Sequence, residues 1–405
     1  MTTVGRVTAV NLISATRIRR VPVQRLGFTL SKSPDWFARM FNEQGLERQF
    51  KTLNFLHTAR WVSLGRFPRF GSGHPRETLS PRWVLFTANF DGGWNPYFGA
   101  FMEALSEGVY DIWGPSIDYP GFPASDTANA LRDWLVTRLP ATQHYYAAYP
   151  HATANDVRSA VRVRRDVCSL ALDLEARLAP AAGGTPVNEA FDDVIHHLRH
   201  CLGPVAPPPW RPWQRPPPPA PDGTIRGVVA VFPLLPDHEQ ALKAEIEAWP
   251  TGVGSPMRNV PGTHYARLAI LHRSEIGRHP TTELALKNSH LLFTADFDGH
   301  GPKRESVERF FRSVHSSIPD EVRAVWQHCA GFENVDTDSE FAKLSTRGRC
   351  RVLHEFVDYP DESLRSVLTA LRSQRGFLDL VQRRTAGRTI TASDVLKFLG
   401  HPPAG

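Results

Sequence analysis

His57-Thr58-Ala59-Arg60 is followed by Phe86-Thr87-Ala88-Asn89-Phe90-Asp91-Gly92, and His264-Tyr265-Ala266-Arg267 by Phe293-Thr294-Ala295-Asp296-Phe297-Asp298-Gly299. The spacing from first residue to first residue is 29 in both cases. Two matched blocks at one spacing mark an internal duplication. The chain therefore reads as two copies of one module, and the question becomes what that module is.

The second copy reads most directly. Gly227–Phe232 is a β-rich run, and a helix is expected from Asp237, with Ala241, Leu242, Ile246 and Trp249 at helical spacing. His264–Leu271 and His290–Phe297 read as strands. Lys303–Cys329 reads as helix with Val307, Phe310, Phe311 and Val314 on one face, broken near Pro319 because proline lacks the donor that a helix interior needs. Val352–Val357 is the fourth strand and Ser363–Leu380 a closing helix. The order β-α-β-β-α-β is ferredoxin-like. The first copy fits the same template with strands at Val7–Ala15, Leu56–Leu64, Trp83–Phe90 and Gln143–Tyr149, and with helices at Pro34–Gln44, at Asn95–Leu105 and from Ala154. The fourth strands end alike, in Ala148-Tyr149-Pro150 and Asp358-Tyr359-Pro360.

A ferredoxin-like sheet carries helices on one face only, so its other face must be covered, and two copies can cover each other. The expected fold class is α+β: two tandem ferredoxin-like (βαββαβ) modules forming a pseudo-dimeric α+β barrel. The modules are expected at residues 1–183 and 223–384. A helix and a proline- and tryptophan-rich linker occupy 184–222, and a tail with a short helix occupies 385–405. Ten of the residues from Pro204 to Pro221 are proline, with Trp210 and Trp213 among them. Such a segment is a semi-rigid polyproline spacer, or a docking site for a protein partner with an aromatic-lined groove.

The bulk properties exclude several classes. No apolar run reaches the roughly 18 residues of a membrane span. Cys168, Cys201, Cys329 and Cys350 form no CxxC pair, which argues against a zinc or disulfide framework and fits a reducing cytoplasm. The formal net charge of +6 is modest for 405 residues, and the third strands lack the RNA-recognition signature, so no nucleic-acid partner is expected. Phosphate-loop, GxSxG and HExxH motifs are absent. His196 and His200 stand four apart on an expected helix, as two metal ligands can, but they lie opposite its apolar stripe and read as a solvated face. No metal is expected.

Strand alternation defines the candidate site. His57, Ala59 and Trp61 share one face, and Arg60, Val62 and Leu64 the other; His264 and Arg267 repeat the pattern. Thr87, Asn89 and Asp91, like Thr294, Asp296 and Asp298, form a polar face opposite the phenylalanines. That polar face is expected to look into the layer between the modules. A carboxylate such as Asp296 would there orient His264 as a general base or ligand. His264, Asp296 and Arg267, with His57, Asn89 and Arg60 as first-copy counterparts, are the candidate catalytic residues. The alternative is structural: histidine and arginine at strand starts, with Asp-Gly as a turn that any copy of the fold needs. Trp113 and Trp326 read as packing residues.

The set His57-Thr58-Ala59-Arg60-Trp61, Phe90-Asp91-Gly92, Asp111-Ile112-Trp113 and Tyr145-Tyr146-Ala147-Ala148-Tyr149-Pro150 resembles modules of bacterial proteins related to, or fused with, dye-decolourising-type and haem peroxidases. His264-Tyr265-Ala266-Arg267 and Phe297-Asp298-Gly299 belong to the same pattern. The resemblance implies the tandem barrel, oxidoreductase chemistry and haem as the cofactor to test. The chain has no GxxDG motif, so the peroxidases' catalytic residues are not carried over. The expected function is binding of a small, largely apolar molecule between the modules, with oxidoreductase chemistry on it. The alternative is a non-catalytic binding or assembly protein that uses the linker or the sheet faces.

Overall fold

In the computed structural model the two duplicated blocks form neighbouring antiparallel strands, and the chain is mixed α+β. The structure describes residues 2–16, 20–22, 29–31, 50–51, 53–71, 74, 76–104, 113, 127–136, 139–165, 189, 191–193, 195–196, 225–273, 287–391 and 394. The helix expected at Pro34–Gln44, the Pro204–Pro221 linker, Asp111-Ile112, His197 and His200 lie outside these residues.

The described strands are β1 (Thr2–Val4), β2 (Val7–Thr16), β3 (Arg20–Pro22), β4 (Thr29–Ser31), β5 (Leu56–Phe67), β6 (Glu77–Asp91), β7 (Thr142–Ala147), β8 (Ile225–Pro233), β9 (Thr263–Leu271), β10 (His290–Asp298) and β11 (Arg351–Val357). The labelled helices are α1 (Trp94–Ala104), α2 (Thr127–Val136), α3 (Glu239–Glu247), α4 (Lys303–Ser317), α5 (Pro319–Trp326), α6 (Asp338–Arg347) and α7 (Leu364–Thr385). Pro319 opens α5 where its missing N–H costs nothing, as its sequence position suggests. Helix α6 was not expected; it starts in a capping box in which Thr337 and Glu340 satisfy each other's backbone amides.

One sheet has the order β1-β2-β6-β5-β11, a second β7-β9-β10-β8, and β3 and β4 form a separate hairpin. Every pairing is antiparallel. The fourth strands are exchanged. β7, from the first copy, pairs with β9 of the second, and β11, from the second copy, pairs with β5 of the first. Each sheet is therefore completed by the other copy, which ties the two halves of the duplication together through backbone hydrogen bonds.

The chain divides into two compact units, residues 1–153 with 216–362, and 154–215 with 363–405. Both sheets belong to the first, so strand exchange gathers the sheets of both copies into one unit. In the second unit, residues 154–165 are helical and Arg164 donates to Ser366 Oγ at 3.2 Å. There Ser363 caps α7, and Arg384 near the end of α7 donates to both carboxylate oxygens of Asp192 at 3.0 and 2.6 Å.

Within the first unit the apolar residues sort into three clusters. Ala59, Trp61, Phe86, Ala88 and Phe90 pack with Tyr97, Phe98 and Trp113 on the outer side of the first sheet. Ala266, Leu268, Phe293 and Phe297 pack with Phe310, Phe311 and Trp326 on the outer side of the second. The duplicated phenylalanines do equivalent jobs: Phe90 stacks on Tyr97 with centroids 3.9 Å apart, and Phe297 on Phe310 at 4.1 Å. Val62, Leu64, Leu85, Val229, Val231, Ala269, Leu271 and Leu292 form the third cluster, in which residues of both sheets meet. Each valine and leucine here contributes about 1.5–3 kcal/mol of burial free energy. Trp61, Trp113 and Trp326 all sit in the outer clusters, and this third cluster is mainly aliphatic, with Phe67 and Trp83 as its aromatic members.

Candidate functional site

Next to that aliphatic layer the facing strands turn polar. Asp296 accepts from the Arg60 guanidinium, from Asn89 Nδ2 at 3.0 Å and from Thr58 Oγ1 at 3.3 Å, all reaching across from the first sheet. Arg60 also donates through Nε to Glu355 at 3.0 Å, and Lys303 Nζ holds the other oxygen of Glu355 at 2.7 Å. Burial pulls the Arg60 guanidinium down, but Asp296 and Glu355 more than restore it and keep it charged. Burial would raise the Glu355 carboxyl; Arg60 and Lys303 override that and bring it to about 2. The second arginine of the duplication is set differently. Arg267 donates to Asn89 Oδ1 at 2.6 Å and to the Ala88 carbonyl at 3.1 Å, and lies over the Tyr145 ring. Burial lowers it to about 10, with Arg60 adding to the effect. Glu355 and Tyr145 each stand four residues before the tyrosine of a Tyr-Pro pair, so the copies carry a carboxylate in one place and a phenol in the other.

The histidines do not sit as strict alternation predicts, for a local reason. In the β5–β6 register Leu56 opposes Phe90 and Thr58 opposes Asn89, leaving His57 as the extra residue of a bulge. In β9–β10, Asp296 opposes Tyr265 and Phe297 opposes Thr263, leaving His264 extra in the same way. A bulge re-aims the side chain of its extra residue. The expected pairing of His264 with Asp296 is accordingly replaced: His264 Nε2 bonds Asp298 Oδ1 at 2.9 Å, and His57 Nε2 bonds Asp91 Oδ1 at 2.9 Å. The partner in each copy is the aspartate of Phe-Asp-Gly.

The other nitrogen of each ring meets a tyrosine supplied by strand exchange. His57 Nδ1 lies 2.7 Å from Tyr359 Oη, and His264 Nδ1 lies 3.0 Å from Tyr149 Oη. The two hydroxyls are 2.9 Å apart, and Tyr265 Oη is 3.1 Å from Tyr359 Oη. One unbroken chain of side chains results: Asp91, His57, Tyr359, Tyr149, His264, Asp298. Both histidines have zero exposure, while Asp91 and Asp298 are 12% and 16% exposed. Burial raises Tyr149, Tyr265 and Tyr359, which keeps all three hydroxyls protonated.

Asp91 also lines an open depression of about 590 Å³ with Gly5, Arg6, Gly92, Gly93 and Thr153. Gly5 has a positive φ, and any side chain there would strike the Pro150 carbonyl. That carbonyl accepts from Arg6 N, which anchors the depression to the end of the Tyr149 strand.

Of the six candidate residues, His57 and His264 fall in the Asp-His-Tyr chain. Arg60, Arg267, Asn89 and Asp296 fall in the adjoining polar layer, where Asn89 and Asp296 are bonded directly. Tyr149, Tyr265, Tyr359, Asp91 and Asp298 were not expected as site residues. Repetition of Tyr-Pro at the two strand ends was the signal for two of the tyrosines.

Haem does not fit these histidines. Each ring has both nitrogens engaged, one by a carboxylate and one by a phenol, and neither is exposed. Among the described residues no group of three or more histidine, cysteine or acidic side chains is arranged to hold a metal ion. No described helix is long and apolar enough to cross a membrane. Comparison with protein-family models and with curated proteins gives no match.

Proposed function

We propose that the chain is a tandem pair of ferredoxin-like modules closed into a pseudo-dimeric α+β barrel. It binds a small, largely apolar molecule with one acidic hydroxyl at the Asp91 depression and exchanges the hydroxyl proton with the Asp91–His57 pair. The carrying observation is the chain that backs Asp91: a partly exposed carboxylate on a buried histidine, itself on a buried phenol. A carboxylate oriented by an imidazole N–H, with an edge open to solvent, is positioned to act as a general base. Gly5, Gly92 and Gly93 keep side chains out of the depression, and Arg6 supplies positive charge beside the anion that proton loss creates. The peroxidase-related resemblance implies oxidoreductase chemistry, but the step assigned to these residues is proton transfer, which changes no oxidation state. Proton removal from the substrate is the part these residues perform.

The test is titration with p-nitrophenol below its own pKa, followed by phenolate absorbance. The expected result is a saturable rise with the native protein that is lost in Asp91→Asn. No saturable rise, or an equal rise in the variant, overturns the proposal.

A second reading is favoured by one observation. The histidines are fully enclosed and their partners come from exchanged strands, which is also how a non-catalytic assembly would lock two copies together. On that reading Asp91→Asn lowers the melting temperature and alters no ligand response.

A further inference from the structure

The buried chain holds fewer protons than its hydrogen bonds require. A carboxylate only accepts, so the protons in the two end contacts belong to His57 Nε2 and His264 Nε2. From Asp91 to Asp298 there are five contacts: 2.9, 2.7, 2.9, 3.0 and 2.9 Å. Each contact needs one proton. Two neutral imidazoles and two phenols bring four, one each. Tyr265 adds one contact, with Tyr359, and one proton, so it leaves the deficit of the through-chain unchanged. The chain is one proton short of satisfying itself, and buried polar groups at hydrogen-bonding distance do not stay unsatisfied cheaply.

We propose that the chain holds one additional proton, shared between His57 and His264, and that this proton crosses the molecule through Tyr359 and Tyr149. The inference rests on the geometry behind the proposed function and couples the charge at the Asp91 end of the chain to that at the Asp298 end.

The two states balance atom for atom. With the proton on His57, His57 Nδ1 donates to Tyr359, Tyr359 to Tyr149, and Tyr149 to His264 Nδ1. Three protons then shift along their own hydrogen bonds: from His57 to Tyr359, from Tyr359 to Tyr149, and from Tyr149 to His264. His264 is now the imidazolium, every contact again holds one proton, and no side chain has rotated. Tyr359 accepts from Tyr265 in both states, within its two lone pairs. Both Nε2 protons stay on their carboxylate contacts throughout, so the mobile proton travels between His57 Nδ1 and His264 Nδ1 and carries the positive charge from the Asp91 end of the chain to the Asp298 end. The surroundings suit a cation in the chain: Asp91 and Asp298 end it, and Asp296 and Asp358 act on its tyrosines. Arg60 and Arg267 lie in the adjoining layer, where Asp296 and Asn89 bind them.

The experiment is long-range proton–nitrogen NMR of the ligand-free, nitrogen-15 histidine-labelled full chain near neutral pH. The expected shifts of His57 and His264 are averaged between neutral and imidazolium and together amount to one imidazolium. Tyr149→Phe and Tyr359→Phe each remove two through-chain contacts and one proton, which leaves three contacts, three protons and no deficit. Both histidines should then be neutral, with the proton on Nε2. Tyr265→Phe lies off the through-chain and should keep the shared proton, and it controls for loss of a buried phenol in a folded protein. Two neutral histidines in the native protein, two full imidazoliums, or one fixed imidazolium beside one neutral ring each overturn the proposal. So does a shared proton that survives Tyr149→Phe and Tyr359→Phe. Because no ligand is present, these outcomes are separate from the p-nitrophenol result.

Discussion

Arg60 and Asp296 join the two sheets through a buried ion pair, 2% and 3% exposed, and a double-mutant cycle measures what the pair contributes. Arg60→Met keeps an apolar stem and removes the guanidinium, stranding Asp296. Breaking a buried pair from one side costs about 3–5 kcal/mol. Asp296 still accepts from Thr58 and Asn89, so about 3 kcal/mol, the lower end, is expected. Asp296→Asn removes the charge and keeps the shape, and asparagine already stands at the equivalent Asn89. Arg60 retains Glu355, so about 2 kcal/mol is expected, in line with one hydrogen bond to a charged group. Independent effects would sum to about 5 kcal/mol. Since each single variant already forfeits the same interaction, the double variant should cost only about 3 kcal/mol, a coupling of about 2 kcal/mol. Urea unfolding followed by near-ultraviolet circular dichroism, with unchanged m-values, is the assay. Additivity to within about 0.5 kcal/mol would refute the reasoning.

Three further outcomes follow from the same structure. Gly227 opposes Asp296 in the β8–β10 register, and a Cβ there would lie 1.8 Å from Arg60 Nη2. Gly227→Ala should cost about 1–3 kcal/mol in urea unfolding, and distinctly less once Arg60 is already Met. The Glu355 carboxyl, at about 2 in the folded chain against an ordinary 4.5, is depressed by folding. Its contribution is therefore full above about 4.5 and lost as pH falls towards 2, so Glu355→Gln should flatten the fall of melting temperature across that window, and an unchanged fall would count against the Arg60–Lys303 clamp. Thr337→Ala should lower stability by about 1 kcal/mol by removing the cap of α6, measurable as a shift in the urea midpoint.

Much of the strand and helix order was legible because the duplication let one copy be read against the other. Outer-face phenylalanines and the break at Pro319 followed from period and from proline chemistry. Helix α6 has its start written in Thr337-Asp338-Ser339-Glu340, but its apolar stripe is too short to mark a helix by period alone. Two features were out of reach. Strand exchange leaves no local trace: β7 and β11 carry the same pattern whichever copy they pair with, and only long-range register decides. The bulges at His57 and His264 add one residue against the facing strand, and with them the partner moves from Asp296 to Asp298. Tyr149 and Tyr359 were visible as a repeated strand ending, but their meeting requires the exchange.

The most direct test places p-nitrophenol at the Asp91 depression while the imidazole nitrogens of His57 and His264 are observed together. His264, at the other end of the buried chain, should shift in step with His57 as the depression fills, and Tyr149→Phe should uncouple them. A response confined to His57, or no response at either ring, would contradict a continuous proton path between the two halves of the duplication.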